Sequence, residues 1–179
     1  MADGTCPRKK KVAGLLIFGA LLATACVPMA PGYVPASPYR LVFMGNLPES
    51  NQAVIDSSER WDRATGQDFF QNAGSPILIG FDNTWPCRTS WSAPAVTIPP
   101  QQSPMPVEFT GYKGVVFLCD NSLLACDALV DHELGHILGL GHKSGGVMEP
   151  DPNIILADCN RQISAAETIS VLAYNLTDQ

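Results

Sequence analysis

The sequence predicts an α+β domain in which a mixed β-sheet packs against a small set of helices. Three observations carry this reading. Short runs rich in β-branched and aromatic residues (RLVFM, SPILIGF, AVTI, GVVFL) are interspersed with stretches of helical periodicity. Once a leader is set aside, roughly 150 residues remain, enough for one domain with its own core and too few for a second large one. Hydrophobic residues make up 46% of the chain and charged ones 16%, and the 15 prolines and 15 glycines imply many turns in a globular body.

Residues 1–25 read as an export signal. The basic stretch Arg8 to Lys11 leads into an apolar run, Val12 to Leu22, then into small residues ahead of Cys26. This resembles a bacterial lipoprotein signal, in which cleavage before the cysteine leaves Cys26 for lipidation and anchors the product to a membrane. The position three before the cysteine carries Ala23 where such signals usually have leucine. The rival reading is an uncleaved anchor, because Val12 to Ala30 carries no charge, although Thr24 and Pro28 make it a poor span. Both readings place the body outside the cytoplasm, anchored on the cell envelope or secreted. Residues 26–38, rich in proline and small side chains, suit an extended tether.

The folded domain is expected over residues 39–179. Arg40 to Met44 reads as the first strand. Asn51 to Thr65, with Val54, Ile55 and Trp61 among charged neighbours, reads as an amphipathic helix stopped by Gly66. Ser75 to Phe81 is a buried strand. The proline-rich stretch Asp82 to Pro106 is loop with one short strand, Ala95 to Ile98, and Gly114 to Leu118 is a further strand. Ala165 to Leu176 is a closing helix capped by Ser164, with Ile169, Leu172 and Ala173 expected to face the core.

The formal charge of -6 conceals an asymmetry, since the leader holds four of the eleven basic residues. The body is therefore acidic and has no basic stripe, which argues against nucleic acid as a partner. With Cys6 and Cys26 in the leader region, the body keeps Cys87, Cys119, Cys126 and Cys159. An even set in an exported chain predicts two disulfides, and three connectivities are open. A Cys119 to Cys126 bridge would close a short loop. The absence of a C-x-x-C pair speaks against a cysteine zinc site.

All 3 histidines fall within HELGHILGLGH, His132 to His142. On a helix, His132 and His136 stand one turn apart on one face, about 6 Å along the axis, so both rings can reach one ion. Glu133 is turned about 100° from them and can act on a water at the metal's open position as general base. His142 could not join them if the helix continued. Gly139 is placed to end it in a positive-φ conformation, with Gly141 adding freedom before His142. Three neutral imidazoles leave a fourth position of a tetrahedral Zn²⁺ open, the arrangement of a catalytic site. Asp131 is expected at the surface, the other reading being that it tunes a neighbouring ligand through a hydrogen bond.

The pattern H-E-x-x-H-x-x-G-x-x-H is the metzincin signature, and every fixed position is met. Gly145 to Pro150 (GGVMEP) resembles the turn that places a methionine, here Met148, beneath the metal in that family. Within it, His132 to Pro150 is most similar to the matrixins. The resemblance implies a zincin-type domain with a twisted mixed sheet over the site helix and a C-terminal helix. It implies a zinc-dependent endopeptidase with Glu133 as base, acting on a peptide or protein laid along an edge strand, either Ala95 to Ile98 or Gly114 to Leu118, and Glu149 to Asn153 walling the pocket. Matrixins usually hold a second, structural zinc on upstream histidines, and this chain has none there, so one zinc is expected and calcium stays open. A monomer is expected. The alternative is an envelope lipoprotein that binds zinc and recognises peptides without cutting them, for which a general base would have no use.

Overall fold

The computed structural model describes residues 38–45, 48–81, 94–100, 105–119 and 125–175. The expected export signal, Cys26, all but the last residue of the tether and Cys87 lie outside the described residues. The elements are β1 (Tyr39–Phe43), α1 (Pro48–Thr65), β2 (Ser75–Phe81), β3 (Ala95–Ile98), β4 (Gly114–Leu118), α2 (Asp127–Ile137), α3 (Pro152–Ala157) and α4 (Ala165–Asn175), with a 3-10 turn at Val107–Phe109. The class is α+β. Among the described residues no helix is long and apolar enough to cross a membrane.

The sheet runs β1-β2-β4-β3. β1, β2 and β4 are parallel neighbours, whereas β3 is antiparallel to β4 and forms one end of the sheet. Parallel strands need a crossover between them, and α1 supplies it between β1 and β2. Their central partners are apolar on both faces, as buried parallel strands must be. Ile77, Ile79, Val116 and Leu118 meet the helices, while Leu78, Val115 and Phe117 pack with Ile98 and Phe109 on the opposite face. Among the described strands, Gly114 to Leu118 is thus interior and Ala95 to Ile98 lies at the edge.

α1 begins at Pro48, three residues before the expected Asn51. Proline's fixed φ and missing N–H suit the first helical position, so Pro48 with Glu49 behind it was a start signal in its own right. β1 is shifted one residue towards the N-terminus and leaves Met44 half exposed.

The inward face of α4 differs from the expected one. Ile169 is 46% exposed, Leu172 and Ala173 are half-buried, and among the described side chains of α4 the fully covered ones are Glu167, Ser170 and Val171. The cause is polar: Glu167 is drawn inward because its carboxylate accepts the backbone N–H groups of Met148 and Ser164, at 2.8 Å and 2.7 Å. An apolar-moment reading of the helix cannot register a buried carboxylate.

Asp131 is likewise a correction, being 2% exposed instead of at the surface. Its carboxylate accepts from Ser57 Oγ at 2.6 Å and from Arg60 Nε at 3.0 Å, and its backbone carbonyl accepts from Trp61 Nε1 at 2.9 Å. These bonds clamp α1 to α2 on the side away from the histidines. Burial raises the Asp131 pKa, outweighing the Arg60 and Ser57 interactions that lower it.

Of the three open cysteine pairings, the short Cys119 to Cys126 loop is not formed. Cys126 is bonded to Cys159, with Cα atoms 4.5 Å apart, and Cys119 is itself disulfide-bonded. The Cys126–Cys159 bond ties the start of α2 to the segment between α3 and α4, and Ala128 N–H reinforces it by donating to the Cys159 carbonyl at 3.0 Å.

Candidate metal and catalytic site

α2 carries His132, Glu133 and His136 and then stops as its sequence demands. Gly139 takes φ 90°. Its N–H donates to the His136 carbonyl at 3.0 Å and the Leu140 N–H to the Gly135 carbonyl at 2.9 Å, the paired bonds of a Schellman motif. The chain therefore doubles back within one turn, which brings the exposed His142 beside the two helical histidines.

The three rings converge. His136 Nε2 lies 3.1 Å from His132 Nε2 and 3.1 Å from His142 Nε2, and all three donor atoms fall within 4.8 Å of one another. Nitrogen donors about 2 Å from a tetrahedral ion stand roughly 3.3 Å apart, so the spacing fits a single metal ion. Two rings are fixed from behind, with His132 Nδ1 2.8 Å from the Val147 carbonyl and His136 Nδ1 2.8 Å from the Leu140 carbonyl. A carbonyl only accepts, so each Nδ1 carries the hydrogen and each Nε2 keeps its lone pair for the ion. This group could hold a metal ion.

Burial works in the same direction. It lowers the His132 pKa to about 4, against the opposing bond to Val147, and lowers that of His136 against the pull of Glu133. Both rings are thus neutral near pH 7, as metal ligation requires. Glu133 is 5% exposed, and burial raises its pKa, opposed by His136 and by a hydrogen bond from Thr97. The Thr97 hydroxyl on β3 donates to Glu133 Oε2.

Met148 is fully buried below the histidines. A Cβ at Gly135 would come within 2.4 Å of Met148 Sδ and 3.1 Å of Trp61 Cζ2, so the methionine lies directly on the α2 backbone between the two helical histidines. Its turn is held from both sides: Lys143 N–H donates to the Met148 carbonyl at 2.7 Å, and Met148 N–H donates to Glu167 Oε1. Gly146 is required there, since a Cβ would approach Glu167 Oε1 to 2.3 Å.

The histidines and Glu133 open into a cleft of about 280 Å³ between β3 and α3, walled by Thr97, Leu129, Glu149, Pro152 and Ile155. Glu149 to Asn153 was expected to wall this cleft, and Glu149, Pro150 and Pro152 line it; that the wall continues as the helix α3 was not read, although Asp151 and Pro152 spell it. The Asp151 carboxylate accepts from Asn153 N–H at 2.9 Å as an N-cap, and Pro152 takes the first helical position. Thr97 and Glu167 were missed as well. Glu167 had a signal, because Ser164-Ala-Ala-Glu167 is a capping box, with Glu167 N–H donating to Ser164 Oγ at 3.3 Å. Thr97 had none, since nothing local marks a strand residue that meets a helix from another part of the chain. No protein-family model matches the chain, and no curated protein matches it significantly.

Proposed function

We propose that this protein is a zinc-dependent endopeptidase of the metzincin type. The observation that carries the reading is the convergence of three Nε2 atoms, two of them locked by backbone carbonyls, beside a buried carboxylate and below an open sheet edge. Three neutral imidazoles suit Zn²⁺ and leave one position open. When bound, zinc supplies Lewis acidity, which acidifies a water and polarises a scissile carbonyl.

The protein's own groups do the rest. Glu133 takes the proton of the attacking water and later hands it to the departing amine, a role suited to a carboxylate whose pKa burial has raised. No covalent bond to the enzyme is needed. An extended peptide or protein substrate adds to β3 as a further strand, its backbone held by the strand groups that no described strand pairs with. Met148 and Gly135 support the ligands from below. Export, with a lipid anchor at Cys26, belongs to the same proposal, and the Cys126–Cys159 disulfide supports it because such bonds persist in oxidising compartments.

Glu133→Ala is expected to keep zinc and lose hydrolysis of a peptide library, and His142→Ala to lose most bound zinc. Retained cleavage by Glu133→Ala rejects the assigned base. Purified wild-type protein that holds zinc and cuts nothing, with or without a chelator, points instead to a non-catalytic zinc-binding envelope protein.

A further inference from the structure

We infer that Thr97 is a positioning residue through which a docked peptide aligns Glu133; the inference rests on the endopeptidase reading above. β3 pairs with β4 in the register Ala95↔Leu118, Val96↔Phe117, Thr97↔Val116, Ile98↔Val115, and Cys119 N–H donates to the Pro94 carbonyl at 3.0 Å. In an antiparallel pair, residues alternate between those that bond the neighbour and those that point away from it. Since Pro94 bonds β4, so do Val96 and Ile98. Ala95 and Thr97 are left to direct their N–H and C=O off the sheet edge, where no described strand pairs with them.

Side chains on a strand alternate as well, and the Ala95 and Thr97 side chains face α2. Ala95 packs into the core on the helix side of the sheet, whereas Val96 and Ile98 join the opposite cluster. Thr97 thus combines two features: its backbone faces the position an added strand would occupy, and its hydroxyl is bonded to Glu133 Oε2.

The bond has two effects on the base. It engages one carboxylate oxygen, leaving Oε1 with no hydrogen bond among the described residues and free to receive a proton. It also stops the terminal torsion of Glu133, which is otherwise broad and soft. A peptide that pairs with the Thr97 backbone stiffens the strand carrying the hydroxyl. Occupancy of the edge and alignment of the carboxylate are then linked through one residue.

Thr97→Val keeps the shape and removes the donor. In the zinc-loaded protein, kcat on a peptide long enough to span β3 should fall about tenfold, with KM within roughly twofold and zinc content unchanged. Thr97→Ser should restore most of the loss. Extending a short peptide along β3 should raise kcat in the wild type and do so much less in Thr97→Val. A second readout needs neither metal nor activity: in chelated protein, the denaturation-midpoint shifts of Thr97→Val and Glu133→Ala should be non-additive, because each removes one end of the same bond. Wild-type kcat in Thr97→Val, an undiminished length effect, or additive shifts would overturn the inference. Should the wild type cut no peptide, the endopeptidase reading fails by itself, and the denaturation cycle still decides whether the Thr97–Glu133 bond exists.

Discussion

The carboxylate of Glu167, on the C-terminal helix, accepts the backbone N–H of Met148 at 2.8 Å, so the floor of the candidate metal site is fastened by a residue nineteen positions further along the chain. Its other oxygen accepts from Ser164 N–H at 2.7 Å, which makes one buried side chain the cap of α4 and the anchor of the methionine turn.

Glu167→Ala should therefore strand two backbone donors in the interior and cost about 2–4 kcal/mol of stability. Zinc affinity should fall with it, since the Val147 carbonyl that fixes His132 belongs to the same turn. Urea denaturation and a competitive zinc titration measure the two effects. Stability near that of the wild type would show that water replaces the carboxylate.

Gly135→Ala should destabilise by about 1–3 kcal/mol, the usual cost of overpacking a filled interior. The added methyl would meet Met148 Sδ at 2.4 Å and Trp61 Cζ2 at 3.1 Å. Adding Met148→Ala to Gly135→Ala should recover part of the loss by vacating the crowded space. Equal denaturation midpoints for Gly135→Ala and the wild type would mean that the methionine turn gives way freely.

Asp131→Ala should cost about 3 kcal/mol, because it removes the buried partner of the largely covered Arg60, leaving only the more exposed Asp127 carboxylate at 3.4 Å, and leaves Ser57 with no acceptor. The zinc content of the folded protein should be unchanged, as Asp131 faces α1 and not the ligands. Replacing Arg60 and Asp131 together, by methionine and leucine, should cost much less than Asp131→Ala. A loss of zinc without a loss of stability would contradict this division of roles.

The metal-free protein should lose stability in acid through His132. Its folded pKa is lowered from 6.5 to about 4, so the unfolded chain binds the proton more readily. The contribution is complete above pH 6.5 and is lost as pH falls from there towards 4, on the order of 3 kcal/mol in all. Glu133 and Asp131, whose pKa values are raised by burial, act in the opposite sense. Comparing wild type with His132→Asn across pH 4–7.5 in the presence of a chelator cancels them. The stability difference should shrink or reverse in acid, and a constant difference would refute the assignment.

What was legible in the sequence was whatever is encoded locally. β2, β3 and β4 occupy the expected residues because each is a short β-rich run closed by turn residues, and Gly139 ends α2 because only that conformation lets His142 return. What escaped notice falls into two kinds. α3 and the Glu167 half of the α4 capping box were written in Asp151-Pro152 and in the spacing of Glu167 from the expected cap Ser164, signals that an apolar-periodicity reading passes over. Asp131 and Thr97 were hidden for a deeper reason, since their partners Ser57, Arg60 and Glu133 are distant in sequence and become neighbours only when the sheet and helices assemble. The cysteine pairing belongs with these, as Cys126 and Cys159 are 33 residues apart.

Two of the imidazoles lean on oxygens from Leu140 and Val147, and both oxygens belong to the stretch that follows the helix. The eleven-residue signature grafted alone onto a foreign helix would carry the Leu140 oxygen for His136 but not the Val147 oxygen, so His132 would arrive free to turn and the grip on any cation would be poorer. A transplant would have to bring the chain through at least Met148, together with an acidic side chain standing in for Glu167, before the ligands were aimed.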